Sequence, residues 1–252
     1  MAELLGRPRG EIPLLREPLS ATDAALYECW VLRRGMREPV QRILGYAYFR
    51  NIKLDLSGQT LIPRPDTESV VDAALEAIDC RVGNCSVLDV GTGSGAIAIS
   101  IADERPGGEV HAADVSEDVL QLARQNAARA GKCIQFHRAD VTRGLDELEG
   151  KIDLLVSNPP YVESAALDAL EPEVRDWDPR LALDGGPDGL DFYRRIFDES
   201  VPLLSPGADI VLEVGDEQSE AVLRLGEAAG YEPLGTRQDL AGSVRAVLLR
   251  WS

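Results

Sequence analysis

The chain has 252 residues and a formal net charge of −17 at pH 7, from 43 acidic and 26 basic residues. Hydrophobic residues make up 44% and charged residues 27%, a composition typical of a soluble protein with one α/β domain and a small appendage. This acidity argues against a direct nucleic-acid partner, because proteins that hold DNA usually present a basic surface to its phosphates.

Apolar runs and cysteine usage exclude two further classes of protein. No apolar stretch approaches the roughly 20 residues that a membrane span needs, and no amino-terminal stretch resembles a signal peptide. The four cysteines are scattered without a CxxC pair, and the chain has only two histidines. We therefore expect no metal site, no disulfide framework, no membrane partner and a cytoplasmic location.

The first 62 residues predict a small helical segment followed by a hairpin. Residues 1–45 contain a helix that Ser20 can cap, with apolar residues at helical spacing behind it. Residues 46–62 predict a β-hairpin linker with strands at 46–49 and 52–56, and with a turn at Ser57-Gly58.

Strands and helices alternate in the remaining unit, residues 63–252. Strands are predicted at 86–90, 109–113, 134–137, 152–157, 209–214 and 245–249. Helices are predicted after Asp66 as N-cap and at 96–102, 117–130, 189–201 and 219–229, with Ser116 capping the third of these and Gly131 ending it. This alternation predicts a parallel, doubly wound sheet whose ligands bind beyond the carboxyl ends of the strands.

A glycine-rich turn, Asp89 to Ala96, follows the first of these strands. The glycines Gly91, Gly93 and Gly95, with Thr92 between them, let the backbone turn tightly and approach a ligand closely. Their spacing also satisfies the G-x-G-x-x-G/A pattern of dinucleotide binders, so NAD and S-adenosylmethionine both remain candidates at this point. The compact D-x-G-x-G-x-G run resembles motif I of class I methyltransferases and favours S-adenosylmethionine. The resemblance implies that Asp89 and the residues of the turn, together with Asn158, bind that cofactor.

Two further carboxylates follow the second and third strands. In class I methyltransferases the residue at Asp114 would accept hydrogen bonds from the ribose hydroxyls, with Val115 beside it. The resemblance places the adenine amino group near Asp140 and Val141. A solvent-facing aspartate in a turn is the alternative interpretation of Asp140.

The strand at 152–157 leads directly into Asn158-Pro159-Pro160-Tyr161, which could simply end the strand or could carry chemistry. The Asn158 side-chain oxygen and the Pro159 carbonyl can accept the two N–H groups of a planar amide or amine. They would then direct the nitrogen lone pair at a methyl group and stabilise the charge that develops. Tyr161 can pack its ring over the substrate. No catalytic histidine or cysteine is needed.

Several sequence blocks together resemble the peptide chain release factor glutamine N5-methyltransferases, also called HemK-like proteins. They are 38–45, 61–68, the glycine turn, 157–162, 171–175, 178–186 and 189–193. The resemblance implies a Rossmann-like class I methyltransferase fold with a seven-stranded sheet, and S-adenosylmethionine as cofactor, converted to S-adenosylhomocysteine. It implies methylation of the glutamine in the Gly-Gly-Gln motif of class I release factors. Asn158 and Pro159 would hold that amide, with Pro160, Tyr161, Pro63 and Arg64 lining the same pocket.

The resemblance has two departures. The amino-terminal helical segment is shorter than in the family, and Ser243-Val244 replaces a polar pair before Arg245. They leave open a paralogue with the same chemistry on another protein side chain or on a small-molecule nitrogen. A nucleic-acid methyltransferase shares Asn-Pro-Pro-Tyr but should carry a basic recognition domain. An NAD oxidoreductase and a non-catalytic cofactor-binding module are the remaining alternatives.

Overall fold

The computed structural model describes residues 1–15 and 18–251; positions 16, 17 and 252, in the predicted 1–45 and 63–252 units, lie outside the described part. The α-helices are α1 (Ala2–Leu5), α2 (Ala21–Gly35), α3 (Val40–Leu44), α4 (Glu68–Asp79), α5 (Ala96–Glu104), α6 (Glu117–Arg129), α7 (Pro172–Arg175), α8 (Asp191–Ser200) and α9 (Ser219–Ala228). The strands are β1 (Tyr46–Phe49), β2 (Ile52–Asp55), β3 (Ser86–Val90), β4 (Glu109–Asp114), β5 (Gln135–Arg138), β6 (Ile152–Ser157), β7 (Leu204–Glu213), β8 (Tyr231–Gln238) and β9 (Val244–Trp251).

A seven-stranded sheet in the order β5-β4-β3-β6-β7-β9-β8 forms the centre of the molecule. Strands β3 to β7 are parallel to one another, while β9 runs antiparallel to both β7 and β8. The middle strands β3 and β6 are buried on both faces, which is why their sequences are almost unbroken apolar runs. The predicted Rossmann-like, mostly parallel, doubly wound sheet is confirmed.

Helices cover both faces of this sheet, and successive strand residues point to opposite cores. Val87 packs in one core with apolar residues of α4 and α5, whereas Leu88 packs in the other with residues of α8 and α9. This alternation follows from the period of two residues in a strand. The two cores, one on each face of the sheet, keep the strand ends in fixed positions.

Polar residues gather at one edge because the central strands are parallel. Asp89 lies near the end of β3, Asp114 ends β4, Asn158 follows β6 and Glu213 ends β7, while Asp140 follows β5. The carboxyl ends of these neighbouring strands meet at the same edge of the sheet. This edge is where ligands bind in doubly wound folds.

The hairpin packs on the helices that cover one face of the sheet, because Phe49 and Leu54 belong to the same core as residues of α4 and α5. Ser20 caps α2 as predicted, since its side chain accepts a hydrogen bond from the Asp23 backbone N–H. Strands β1 and β2 form the predicted hairpin, but its turn lies at Arg50-Asn51 and not at Ser57-Gly58. Only two residues separate the strands, and Arg50 has a φ of 49°, as tight hairpin turns require.

Two other local predictions need correction. Asp66 does not cap α4; a short 3-10 turn at Pro65–Thr67 precedes the helix, and the Asp66 carbonyl accepts a hydrogen bond from Ser69. No sequence pattern predicted β8, although the family resemblance implied a seventh strand. Strand β8 is a mostly exposed edge strand with Pro233 and Gly235 inside it, so it lacks an alternating apolar signal.

No helix in residues 1–15 and 18–251 is long and apolar enough to cross a membrane.

Candidate active site

A cavity of about 680 Å³ opens at the carboxyl edge of the sheet. The glycine turn and the ends of β4 and β5 form one side, and the chain after β6 forms the other. The segment from Gly58 to Arg64 and residues of α8 complete the wall. The volume lies within the range of roughly 300–1,000 Å³ that is usual for small-molecule sites.

The glycine turn is fixed by hydrogen bonds from its own backbone N–H groups. The N–H groups of Gly91 and Thr92 both donate to the Ala113 carbonyl, at 2.9 and 3.0 Å, which fixes the turn on β4. Gly95 begins α5 with a φ of 86°, and a Cβ there would lie 2.8 Å from the Ile99 side chain. Gly91, Thr92 and Gly93 line the cavity, while Gly95 supports the turn from behind.

Asp114 lines the cavity at the end of β4. One carboxylate oxygen accepts from the Gly93 N–H at 3.1 Å and the other accepts from the Ser116 N–H at 3.0 Å. Burial raises the pKa of Asp114, and these backbone N–H groups partly offset that effect. Each oxygen keeps further lone pairs, so Asp114 can accept hydrogen bonds from a ligand.

Residues Asp140 and Val141 form the neighbouring wall, next to Val115. Val141 has a φ of 59°, an unusual conformation for a β-branched residue, and it is buried. The Asp140 carboxylate pairs at 2.9 Å with Arg195 of α8, which also lines the cavity. Asp140, in the loop after β5, is therefore held at the cavity by a partner on α8.

Asp89 does not line the cavity, in contrast to the sequence prediction. The residue is 1% exposed, and one carboxylate oxygen accepts from the Thr92 hydroxyl at 2.7 Å and from the Ala98 N–H at 3.2 Å. The other oxygen is buried without a hydrogen-bond partner among the described residues. Burial raises the pKa of Asp89 to about 7. Asp89 thus joins the glycine turn to α5.

On the opposite side of the cavity, Asn158, Pro159 and Pro160 form the wall as predicted. Ser157, immediately before them, donates its hydroxyl to the Val90 carbonyl at 2.6 Å and fixes the end of β6 on β3. The Asn158 side-chain N–H₂ donates to the Thr67 hydroxyl oxygen at 3.2 Å. Thr67 also lines the cavity, so the Asn158 amide is oriented by a residue that precedes α4.

Tyr161, whose ring was expected to pack over the substrate, lies behind this wall and does not line the cavity. The ring packs against the core under α8 and α9. The hydroxyl donates to Glu213 at 3.4 Å, and the carbonyl accepts from Gln218 at 2.9 Å. Burial raises the pKa of Tyr161 far above its usual range, so the hydroxyl remains a donor.

Glu213 is a buried carboxylate at the end of β7 that no sequence motif indicated. Its side chain is 1% exposed, and its backbone carbonyl accepts from the Tyr193 hydroxyl at 2.8 Å. Burial raises its pKa to about 7, while hydrogen bonding to Thr67, the charge of Arg245 and the hydrogen bond from Tyr161 lower it in part. The carboxylate therefore binds Tyr161 at the end of the Asn-Pro-Pro-Tyr loop and lies near Thr67, which binds Asn158 at its start.

Arg64 and Pro63 lie in the cavity wall as predicted, but the Arg64 guanidinium is already paired. It donates to Asp178 at 2.5 Å, and Arg42 of α3 donates to the other oxygen of the same carboxylate at 3.0 Å. Arg42 also donates to the carbonyls of Ser57 and Thr60. This ion triad, in which Arg42 and Asp178 are buried and Arg64 is partly exposed, joins α3, the segment beside the cavity and the loop at Asp178.

The amino-terminal helices brace that loop at a second place. Arg37, after α2, pairs with Glu171 at 2.9 Å and with Glu173 at 2.5 Å, and Arg34 pairs with Glu173 at 2.9 Å. The two arginines hold the pKa of Glu173 at about 2. The loop continues into Pro179, Leu181 and Ala182 of the cavity wall, so residues 1–45 contact the chain that shapes the site.

Sequence patterns missed four residues that shape the site, namely Thr67, Asp178, Arg195 and Glu213. Three of them belong to or adjoin blocks that carried the resemblance, but their roles depend on partners far along the chain, which no local pattern contains. Glu213 lies in an apolar strand and could have been singled out as a lone acid in a buried run. Among the described residues, no group of three or more His, Cys, Asp or Glu side chains could hold a metal ion.

Two protein-family models match separate parts of the chain. Residues 1–45 match the PrmC N-terminal domain, and residues 70–175 match the methyltransferase small domain. The second range contains the glycine turn, Asp114, Asp140 and the Asn-Pro-Pro-Tyr loop, and so it includes both sides of the cavity.

Relatives match over nearly the whole length. The release factor glutamine methyltransferase of Caulobacter vibrioides is 42% identical over 91% of this chain and 79% of its own. The enzyme of the same name from Moorella thermoacetica is 41% identical over 97% of this chain and 86% of its own. The crystal structure of a methyltransferase from Pyrococcus furiosus superposes with a TM-score of 0.58 at 17% identity, covering 89% of this chain and 97% of that one. At that identity, the likeness shows the fold alone.

Proposed function

The chain belongs to the release factor glutamine methyltransferase family, and on that premise we propose that it methylates the side-chain amide nitrogen of the glutamine in the Gly-Gly-Gln motif of class I release factors. The chain is a methyltransferase of the class I fold, and its cofactor is S-adenosylmethionine. The observation that carries the proposal is one shared cavity, which has the glycine turn with Asp114 on one side and Asn158-Pro159 on the other.

The residues of the first side fit the methyl donor. Asp114 keeps free lone pairs for ribose hydroxyls, and the glycine turn offers a surface without side chains at Gly91 and Gly93. Asp140 and Val141 offer a polar and an apolar contact for the adenine ring. When bound, S-adenosylmethionine supplies a methyl group on a sulfonium centre.

Asn158 and Pro159 would hold the glutamine amide on the second side. Proline has no N–H, and the Asn158 side-chain nitrogen is bound to Thr67, so both residues offer carbonyl oxygens to the two N–H groups of the amide. In that orientation the nitrogen lone pair, otherwise delocalised into the carbonyl, can point at the methyl carbon. As the nitrogen–carbon bond forms and the sulfur–carbon bond breaks, positive charge moves onto the nitrogen, where the two oxygens stabilise it. One N–H proton then leaves to water.

The charge of the chain supports a protein substrate. The net charge of −17 disfavours the nucleic acids on which other Asn-Pro-Pro-Tyr methyltransferases act. Because release factors act in translation termination, we place the reaction in the cytoplasm. The four cysteines of the described chain are free thiols, which fits a reducing compartment.

Transfer of labelled methyl from S-adenosylmethionine to a purified class I release factor tests the proposal. We expect label in wild-type release factor, none when the Gly-Gly-Gln glutamine is changed to alanine, and at least roughly 100-fold less with the Asn158→Ala enzyme, because a positioning contact to the reacting nitrogen is lost. No label on the glutamine, with S-adenosylhomocysteine binding intact, would refute the proposed substrate and favour a paralogue acting on another nitrogen.

A further inference from the structure

Among the described residues, two arginines and two acids are the charged side chains that line the cavity, namely Arg64, Arg195, Asp114 and Asp140. Arg195 has two carboxylate partners, because it pairs with Asp140 at 2.9 Å and with Glu199 at 3.0 Å. Its charge is therefore balanced by acids on α8 and in the cavity wall. Arg64 differs from it, because its one carboxylate partner is shared with another arginine.

The carboxylate that Arg64 shares is that of Asp178. Arg64 donates to one oxygen of Asp178 at 2.5 Å, and Arg42 donates to the other at 3.0 Å. No second acid of the described chain lies within 4.0 Å of either guanidinium. The Arg42 and Asp178 side chains are 7% and 0% exposed, whereas that of Arg64 is 36% exposed. The triad therefore carries one net positive charge, and Arg64 is the member that reaches the cavity.

The Arg64 side chain keeps hydrogen-bond donors for a ligand. A guanidinium presents a planar fork of N–H donors. The contact with Asp178 comes from one nitrogen of this fork, and no other described residue accepts from the side chain. A carboxylate can take two parallel N–H donors from such a fork, in a charge-assisted pair that is stronger than a neutral hydrogen bond. Arg64 can therefore bind a carboxylate in the cavity while it remains attached to Asp178.

The position of Arg64 within the cavity indicates which part of a ligand it meets. Asp140, Asp114, the glycine turn and Asn158 follow β5, β4, β3 and β6, which are neighbours in this order. Arg64 lies at the Asn158 end of this row, since its carbonyl accepts from the Thr67 N–H at 3.2 Å and the Thr67 hydroxyl accepts from Asn158 at 3.2 Å. With adenine at Asp140 and ribose at Asp114, the methionine part of the methyl donor extends toward Arg64.

We propose that Arg64, which Asp178 and Arg42 hold in place, binds the α-carboxylate of the methionine part of S-adenosylmethionine. The inference rests on the proposed placement of the adenosine part at Asp114 and Asp140. This carboxylate is the anionic group of S-adenosylmethionine, whereas the Gly-Gly-Gln tripeptide presents neutral amide groups. Because the net charge of −17 repels anions from the molecule as a whole, a local cation is needed to bind the carboxylate.

Calorimetry with two ligands that differ only in this carboxylate tests the proposal. S-adenosylhomocysteine has the carboxylate, and decarboxylated S-adenosylhomocysteine keeps the adenosine, the sulfur and the amino group. We expect the wild type to bind S-adenosylhomocysteine on the order of 30-fold more tightly than the decarboxylated form. Arg64→Gln should weaken the binding of S-adenosylhomocysteine by a similar factor and that of the decarboxylated form by no more than about twofold, because the charge-assisted pair forms only with the first ligand.

Two further variants separate carboxylate binding from an effect on the fold. Arg195→Gln is the matched control, since it makes the same change at the arginine whose charge is already balanced, and it should change the affinity for both ligands by the same factor. Arg64→Lys keeps the charge without the planar fork, so its preference for S-adenosylhomocysteine should lie between those of the wild type and Arg64→Gln. Thermal unfolding shows which variants are folded, and Asp178 keeps Arg42 as a partner in each of them.

Equal losses of affinity for both ligands in Arg64→Gln would overturn the inference, as would a wild type that binds the two ligands equally well. Unchanged binding of S-adenosylhomocysteine, with a raised KM for a release factor, would also overturn it and assign Arg64 to the protein substrate. If Arg64→Gln does not fold, an Arg64→Lys that binds both ligands alike supports the inference only where the wild type discriminates between them. The calorimetry needs no methyl acceptor, so a selective loss in Arg64→Gln supports the inference even if no methyl group reaches a release factor.

Discussion

Replacing Asp89 by asparagine tests whether this residue is a buried structural acid or a cofactor ligand. Burial raises its pKa from 3.8 to about 7, which corresponds to roughly 4 kcal/mol by which the fold disfavours the ionised form. A pKa that is higher in the folded state means that the folded protein binds more protons than the unfolded chain between about pH 4 and pH 7. The contribution of Asp89 to stability therefore falls as pH rises through that window.

The asparagine of Asp89→Asn would stay neutral at every pH and would keep an oxygen for Thr92 and for the Ala98 N–H. Between about pH 5 and pH 8, the wild type should lose roughly 2.5 kcal/mol of unfolding free energy through Asp89 that Asp89→Asn does not lose. All other titrating groups are common to both proteins and cancel in the difference.

Urea unfolding of both proteins at about pH 5 and pH 8 measures this difference. We expect Asp89→Asn to be less stable relative to wild type at the lower pH than at the higher one, and S-adenosylhomocysteine calorimetry to show only a modest change in affinity. A stability difference that is the same at both pH values would refute the buried-acid interpretation. A loss of affinity on the order of 100-fold or more with unchanged stability would mean that Asp89 binds the ligand itself.

Three other substitutions probe the walls of the site. Gly95→Ala should lower the free energy of unfolding by about 2 kcal/mol or more, because the added methyl meets the Ile99 side chain at 2.8 Å and φ is 86°. Gly131→Ala is the control for the backbone effect alone, because its φ is 67° and the added methyl meets open space. Equal losses for both variants in urea unfolding would contradict the predicted clash. Asp178→Asn should lower the free energy of unfolding by about 3 kcal/mol in the same assay, since it leaves buried Arg42 without its carboxylate. A loss below about 1 kcal/mol would mean that the three charges are not tightly coupled. Asp114→Asn should weaken S-adenosylhomocysteine binding about tenfold or more by calorimetry, and unchanged affinity would remove Asp114 from the ligand site.

The sheet was predictable because its signals are local. Strand β6 has the predicted bounds, 152–157, and the Ser116 cap of α6 is where the sequence placed it. Each of these features depends on a few adjacent residues, namely an apolar run or a hydroxyl followed by a helical pattern. Strand β8 was missed because its residues are mostly exposed and its pairing with β9 is interrupted by bulges.

The cavity walls were predictable in outline and the contacts behind them were not. Motif spacing placed Asp114 and Asn158 at the same edge, because parallel strands bring successive carboxyl ends together. Motif membership did not separate residues that face the cavity from those that support it, so Asp89 and Tyr161 were both assigned to ligands. Their orientation depends on side-chain partners such as Glu213, which lies 52 residues after Tyr161.

Two buried acids, Asp89 and Glu213, lie beneath the two halves of the site and affect how stability depends on pH. Asp89 and Glu213 both have a pKa of about 7, so both take up protons in the folded protein as pH falls from about 7 toward 5. That proton uptake stabilises the fold. Buried His111 has the opposite effect, because its pKa is lowered and it therefore binds fewer protons in the folded protein than in the unfolded chain. Glu213→Gln should therefore lose its share of the gain in unfolding free energy as pH falls from about 7 toward 5, while Asp89, unchanged in that variant, keeps its own share. Urea unfolding of this variant and of the wild type at about pH 5 and pH 7 measures the difference, and an equal gain in both proteins would contradict the prediction.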